Sequence, residues 1–384
     1  MILSSLIFQS GLFKFSLRWI KSPGWTILLS WLIMAAPAQA SLLLRIAVAD
    51  NASQVKVGSS TGAVVRDGQG RTLGQIPANG GSTIQLKNGK AGFNQHQVHQ
   101  LWIEPSSNGF VWIGNNWYRG KALLVPGSQG LTAINYVDLE QYLYSVLGSE
   151  MNGDWPQEAL KAQAVAARSY ALYKRQRSKG IYDLGDDQSW QVYQGVSKES
   201  PGTQTAVNAT AGQVLTHGGQ VILAVFHSSS GGHTENSEDV WGNPLPYLKG
   251  VPDYDQKSPV FAWTKTFSQG DLSQRISGVG QVTGMTPEKA SPYGSIISMK
   301  VLGSGGSRVM EGDAIARALG LRSTRFRVTR KSGSANFIVE GRGFGHGVGL
   351  SQWGAHGLAQ NRYNYQQILL YYYQNTALAR IQVQ

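Results

Sequence analysis

The alternation of apolar and polar positions changes character along the chain. From residue 42 to about 125, apolar residues form short runs or alternate with polar ones, as in Val55-Lys56-Val57 and Phe110-Val111-Trp112-Ile113. That is the period-two pattern of strands with one buried face. Asp67-Gly68, Asn79-Gly80 and Asn88-Gly89 fall between these runs and tolerate the positive φ of hairpin turns. Residues 131–137 still read as a strand, but Asp138 is placed to cap a short helix. Asp154-Trp155-Pro156-Gln157-Glu158 opens a second helix with proline in its first turn, running to about Arg177. Leu160, Ala164, Ala167 and Ala171 recur at helical spacing and predict a core-facing stripe.

Strand-like runs return from about Gln213, most strongly over 220–226. A loop-rich region with Trp241, Pro244, Pro246 and Pro252 follows, with short helices expected over 272–276 and 312–319 and a last helix capped by Asn364. Helices and strands mix without βαβ alternation, so the class is α+β: a β-rich N-terminal region over 41–120, then a mixed helix and strand domain over 121–384.

Residues 1–40 contain no Asp or Glu and place Lys14, Arg18 and Lys21 ahead of an apolar run over 25–36 and Ala38-Gln39-Ala40. This reads as a secretory signal, and hence as export to the periplasm or envelope. The run is shorter than the roughly 20 apolar residues of a membrane span, with an uncleaved tether as the alternative. There is no cysteine, which excludes a thiolate metal site and a cysteine nucleophile. The net charge of +12 on an exported chain points to an acidic polymer or membrane surface rather than to nucleic acid.

Three segments carry candidate chemistry. The first joins Glu150-Met151-Asn152-Gly153-Asp154-Trp155-Pro156 to the alanine-rich helix. Lys161 and Arg168, seven apart, share a helical face with Val165 and Leu172, either lining a cleft near Glu150 or pairing with Asp154 and Glu158. The second is Phe226-His227-Ser228-Ser229-Ser230-Gly231-Gly232-His233-Thr234. It lacks the Gly-x-Ser-x-Gly elbow of a serine hydrolase. His227 and His233 have no obvious third ligand for zinc, so a hydrogen-bonding rim for a polar substrate, built from His227, Ser228 and Ser230, is preferred. The third is Gly341-Arg342-Gly343-Phe344-Gly345-His346-Gly347-Val348-Gly349-Leu350-Ser351-Gln352-Trp353. Its glycines fit neither a phosphate loop nor a dinucleotide fingerprint. They permit close backbone approach to a ligand, with His346, Gln352 and Trp353 around it.

In this order, the three segments resemble the stage II sporulation protein D and amidase-enhancer family, over roughly residues 118–378. Members of that type include lytic transglycosylases acting on peptidoglycan glycan strands whose stem peptides an amidase has removed. The resemblance implies that Glu150 is the general acid/base giving 1,6-anhydromuramyl ends, and that 121–384 is the catalytic domain. It places Lys161, Arg168, His227 and Ser230 on motif positions, here assigned to substrate. No cofactor or metal is implied, since the zinc of some members is held by cysteines this chain lacks. The implied partners are glycan strands and a cell-wall N-acetylmuramoyl-L-alanine amidase; the alternative is a non-catalytic glycan-binding enhancer of that amidase. A general polysaccharide-binding envelope protein is a third reading. An acid that must hold its proton near neutrality needs a desolvated site, so Lys161 and Arg168 are expected not to touch Glu150.

Overall fold

The computed structural model describes residues 42–330 and 334–381; the expected export signal lies outside them. The fold is α+β. Strand Leu43–Ala52 pairs antiparallel with Leu131–Asp138 and parallel with Leu184–Gly185, inside a seven-stranded sheet. A six-stranded sheet built around Gln54–Ser59 and Gly81–Lys87 completes the β-rich part. Asn79, Asn88 and Gly89 take positive φ at the turns where the sequence predicts them. Since Leu131–Asp138 runs straight into helix Leu139–Glu150, sheet and helices share one continuous apolar core.

Asp138 caps that helix, its side chain accepting from the amides of Glu140 and Gln141. The next helix, Gln157–Arg177, starts with Pro156 at the cap rather than inside the first turn. Its predicted stripe is buried, but so is the rest of its circumference from Ala159 to Leu172, with Lys161 as the exception. The helix is enclosed by helices Pro201–Ala209, Gln352–Gln360 and Tyr365–Tyr372 and by strand Gln213–His217. Alanine on several faces lets these neighbours approach at once, and a helix apolar all round is a buried one.

The expected strand over 220–226 divides. Only Gln220–Val221 and Phe226–His227 are extended. Between them, the amides of Ala224 and Val225 bond to carbonyls two residues back, which curls the chain.

Residues 262–342 carry a second core, with Trp263, Phe267, Leu272, Met299, Ile315 and Val339 among its members. Two three-stranded sheets surround it, one of strands Ala262–Ser268, Asn336–Arg342 and Phe326–Arg330 in the order first, second, third. Helix Gly312–Leu319 forms where the sequence predicts it, and the other expected helix spans Gln269–Arg275. Gly341 is required by this packing: a Cβ there would lie 2.1 Å from the Trp263 indole.

Candidate active site

Glu150 is the last residue of helix Leu139–Glu150. Its carboxyl lines a cavity of about 510 Å³ together with Tyr170, Trp190, His227, Trp241 and His346. The amide of Val192 donates to Oε1 at 3.2 Å, and Gln352 Nε2 donates to Oε2 at 3.2 Å. Gln352 is delivered by the helix that Ser351 caps. Ser351 in turn pairs with His227 in a short parallel bridge, Phe226–His227 against Leu350–Ser351. The second and third sequence segments are thereby drawn onto the first.

Burial raises the pKa of Glu150 above the usual carboxyl range, and its two neutral hydrogen bonds oppose that only in part. The negative end of the helix dipole acts in the same direction as burial. Lys161 pairs with Glu158 at 2.7 Å and Arg168 with Glu140 at 2.6 Å, so neither reaches the carboxyl, as expected.

The two histidines are set by the backbone of one residue, Val348. His227 Nδ1 lies 3.1 Å from the carbonyl oxygen of Val348, and the amide of Val348 donates to His346 Nδ1 at 3.1 Å. The hydrogen-bond network therefore assigns opposite tautomers. His227 holds its proton on Nδ1, leaving Nε2 a buried acceptor with no protein partner; His346 carries its proton on Nε2. Burial holds His227 down at about 4 and His346 at about 3, so both rings are neutral near pH 7. Gly345 makes the loop's approach feasible, since φ is +108° and a Cβ would lie 2.8 Å from the His227 Cβ.

Of the predicted residues, Glu150, His227, Ser228, His346 and Gln352 line the cavity, whereas Lys161, Arg168, Ser230 and Trp353 do not. Arg168 is fully buried: its guanidinium grips both oxygens of Glu140 and also donates to the carbonyl of Gln213 at 3.1 Å. It has no surface to present to a sugar and instead ties two helices to a strand. Ser230 is buried with its hydroxyl donated to Asp253 at 2.5 Å. Trp353 packs edge-on against Trp155, ring centroids 4.7 Å apart.

Sequence reasoning missed Tyr170 as a wall residue, the rim aromatics Trp241 and Phe344, and the contribution of Gln188, Ser189, Trp190 and Val192. The run Asp186-Asp187-Gln188-Ser189-Trp190 has no periodicity, and its one cue is an aromatic residue set among polar ones. Chemically, the cavity offers one carboxyl inclined to keep its proton, aromatic walls, a donor amide and a bare imidazole acceptor. That set can protonate a leaving oxygen on a polar, ring-bearing substrate.

Residues 127–217 match the family described as Stage II sporulation protein, and residues 247–349 match a domain of unknown function. An uncharacterized protein of Brachyspira hyodysenteriae (strain ATCC 49526 / WA1) is 32% identical over 280 residues, covering 71% of this chain and 74% of the relative. Stage II sporulation protein D of Bacillus subtilis (strain 168) is 35% identical over 271 residues, covering 64% and 76%. The amidase enhancer of the same organism is 30% identical over 289 residues, 62% of this chain but 40% of that protein. The chain belongs to the stage II sporulation protein D family.

Proposed function

We propose that this chain is a peptidoglycan lytic transglycosylase acting on glycan strands without stem peptides, with Glu150 as general acid/base. The observation that carries the reading is the isolation of Glu150, the only carboxyl among the described residues lining the cavity. Hydrolytic glycosidases use two carboxyls, the second to activate water or attack the sugar. A lytic transglycosylase needs one, because the C6 hydroxyl of muramic acid attacks C1 of its own ring. Glu150 gives its proton to the bridging oxygen as the C1–O bond breaks; the proton lost by O6 as the O6–C1 bond forms restores the acid. The raised pKa of Glu150 suits the first half of that cycle.

Tyr170, Trp190, Trp241 and Phe344 supply faces for the C–H sides of sugar rings, and His227, Ser228, His346 and Gln352 supply polar groups for hydroxyls and acetamides. Export to the envelope, and work alongside an amidase that bares the strands, belong to the same proposal. The test is to incubate the purified chain with peptide-free glycan and look by mass spectrometry for 1,6-anhydromuramyl ends, which Glu150→Ala must fail to give. A non-catalytic enhancer gives no such ends, binds the glycan, and speeds stem-peptide release by an added amidase.

A further inference from the structure

The second core carries an exposed sheet face whose last strand ends two residues before a residue of the Glu150 cavity. On sheet Ala262–Ser268, Asn336–Arg342, Phe326–Arg330, one face buries Trp263, Phe267, Phe326, Phe337 and Val339. The alternate positions Thr264, Thr266, Arg327, Thr329 and Arg342 are exposed. Near one end of the sheet lies a groove of about 640 Å³ that includes Thr264, Arg325, Arg327, Glu340 and Arg342. Two residues beyond Arg342, Phe344 is 44% exposed and belongs to the wall of the Glu150 cavity. A single turn of chain thus separates a residue of the groove from a residue of the cavity, and Trp263 Nε1 fixes that turn by donating to the carbonyl of Gly343 at 2.9 Å.

The charges along this path are not equivalent. Arg327 is paired with Glu340 at 2.8 Å, and Arg325 with Glu235 at 2.7 Å. Arg342 and Arg322 are exposed and make no ion pair among the described residues. Both adjoin the junction: the carbonyl of Arg322 accepts from the amide of Gly345 at 2.9 Å, and the Arg342 guanidinium lies 5.7 Å from the Phe261 ring centroid. Arg342 lines the groove, and Arg322 adjoins its junction with the cavity; unpaired guanidiniums suit carboxylates, which they can bind in bidentate fashion.

We propose that this groove is a second binding site, for an anionic glycan, which extends the track of the Glu150 cavity, and that Arg322 and Arg342 bind sugar-borne carboxylates at the junction. The proposal rests on the glycan reading of the cavity. Removing a stem peptide leaves a free lactyl carboxylate on each muramic acid, so the site reads a carboxylate held directly on the sugar, which a peptide-bearing strand presents only as an amide.

The test uses the full chain with Glu150→Gln throughout, so that no strand is cut. Binding of peptide-free peptidoglycan strands and of an uncharged N-acetylglucosamine oligomer is measured with and without Arg322→Ala plus Arg342→Ala. We expect the double substitution to weaken the anionic strand at least about tenfold, the scale of one lost charge-assisted hydrogen bond. The uncharged oligomer should be unaffected, and Arg342→Lys should restore part of the loss. Equal weakening of both ligands, or of neither, overturns the proposal. Absence of anhydro ends from the unsubstituted chain overturns the catalytic reading instead, and leaves this binding result to stand or fall separately.

Discussion

Helix Leu139–Glu150 carries a carboxylate near each end, and their surroundings differ in kind. Glu140, in the first turn, meets the buried guanidinium of Arg168 through two hydrogen bonds of 2.6 and 2.8 Å and accepts the amide of Gly212 at 3.0 Å. Glu150, in the last turn, meets only neutral donors. The helix dipole favours the charge of the first and disfavours that of the second. One helix thus holds an acid tied into a structural ion pair and an acid inclined to keep its proton. The identity of the partner, more than depth alone, separates a strut from a reactive group.

The sharpest way to break this comparison is to substitute each acid's environment and read activity and stability separately. Glu150→Gln should lower the yield of anhydromuramyl ends by about 10²–10⁴-fold, the range for loss of a general acid. Its melting temperature should hold or rise, because a desolvated carboxyl has been removed. A large fall in melting temperature would make Glu150 a structural residue like Glu140.

Arg168→Ala should do the converse, lowering stability by about 3–5 kcal/mol by stripping a buried charge pair of one partner. Denaturant unfolding reads the loss. Arg168→Met combined with Glu140→Gln should recover much of it, since no lone charge remains. If Arg168→Ala is as stable as the parent and loses only glycan affinity, the role first expected from the sequence returns.

The difference between these two acids was only half legible in the sequence. The cap at Asp138, the extent of the alanine-rich helix and the cap at Asn364 are local events, written in neighbouring residues, and the structure reproduces them. Heptad spacing placed Lys161 and Arg168 on one face but not their depth. Helices and a strand enclose that face in three dimensions, and Arg168 disappears beneath them while Lys161 stays partly exposed. The wall formed by Trp190 and Val192 arrives from a loop with no periodicity, and the sheets of the second core are built from strands rich in Thr, Ser and Lys whose alternation is weak. What is fixed by long-range contact leaves little trace in a local pattern.

The neutral surroundings of Glu150 extend to its histidines, and acid should expose this. An unfolded histidine takes up a proton near 6.5, while His227 in the fold resists until about 4. The unfolded state therefore binds more protons between these values, so stability is fully present above about pH 6.5 and falls as pH drops towards 4. At 1.36 kcal/mol per unit, His227 alone accounts for about 3 kcal/mol. Glu150, with its pKa raised, acts with the opposite sign and offsets a part. His227→Asn keeps a donor for the Val348 carbonyl but cannot titrate, so its unfolding free energy should decline less steeply over the same range. Parallel curves for the two proteins would mean that His227 takes up its proton as readily in the fold as in the unfolded chain.

The smallest effect isolates a single hydrogen bond. Gln352 donates to Glu150 and so favours its charged form, holding the pKa below what burial alone would give. Gln352→Ala removes that donor and must raise the pKa further. In the proposed mechanism the protonated acid is the active form, so kcat/KM should fall as pH rises through the pKa of Glu150 in the free enzyme. The alkaline limb of the profile should therefore move to higher pH in Gln352→Ala, by less than about one unit, the scale of one neutral hydrogen bond. Glu158→Gln, outside the cavity and paired with Lys161, should leave the limb in place. A limb that shifts down, or shifts equally in both variants, would assign it to a group other than Glu150 and leave the two ends of the helix without the chemical contrast drawn between them.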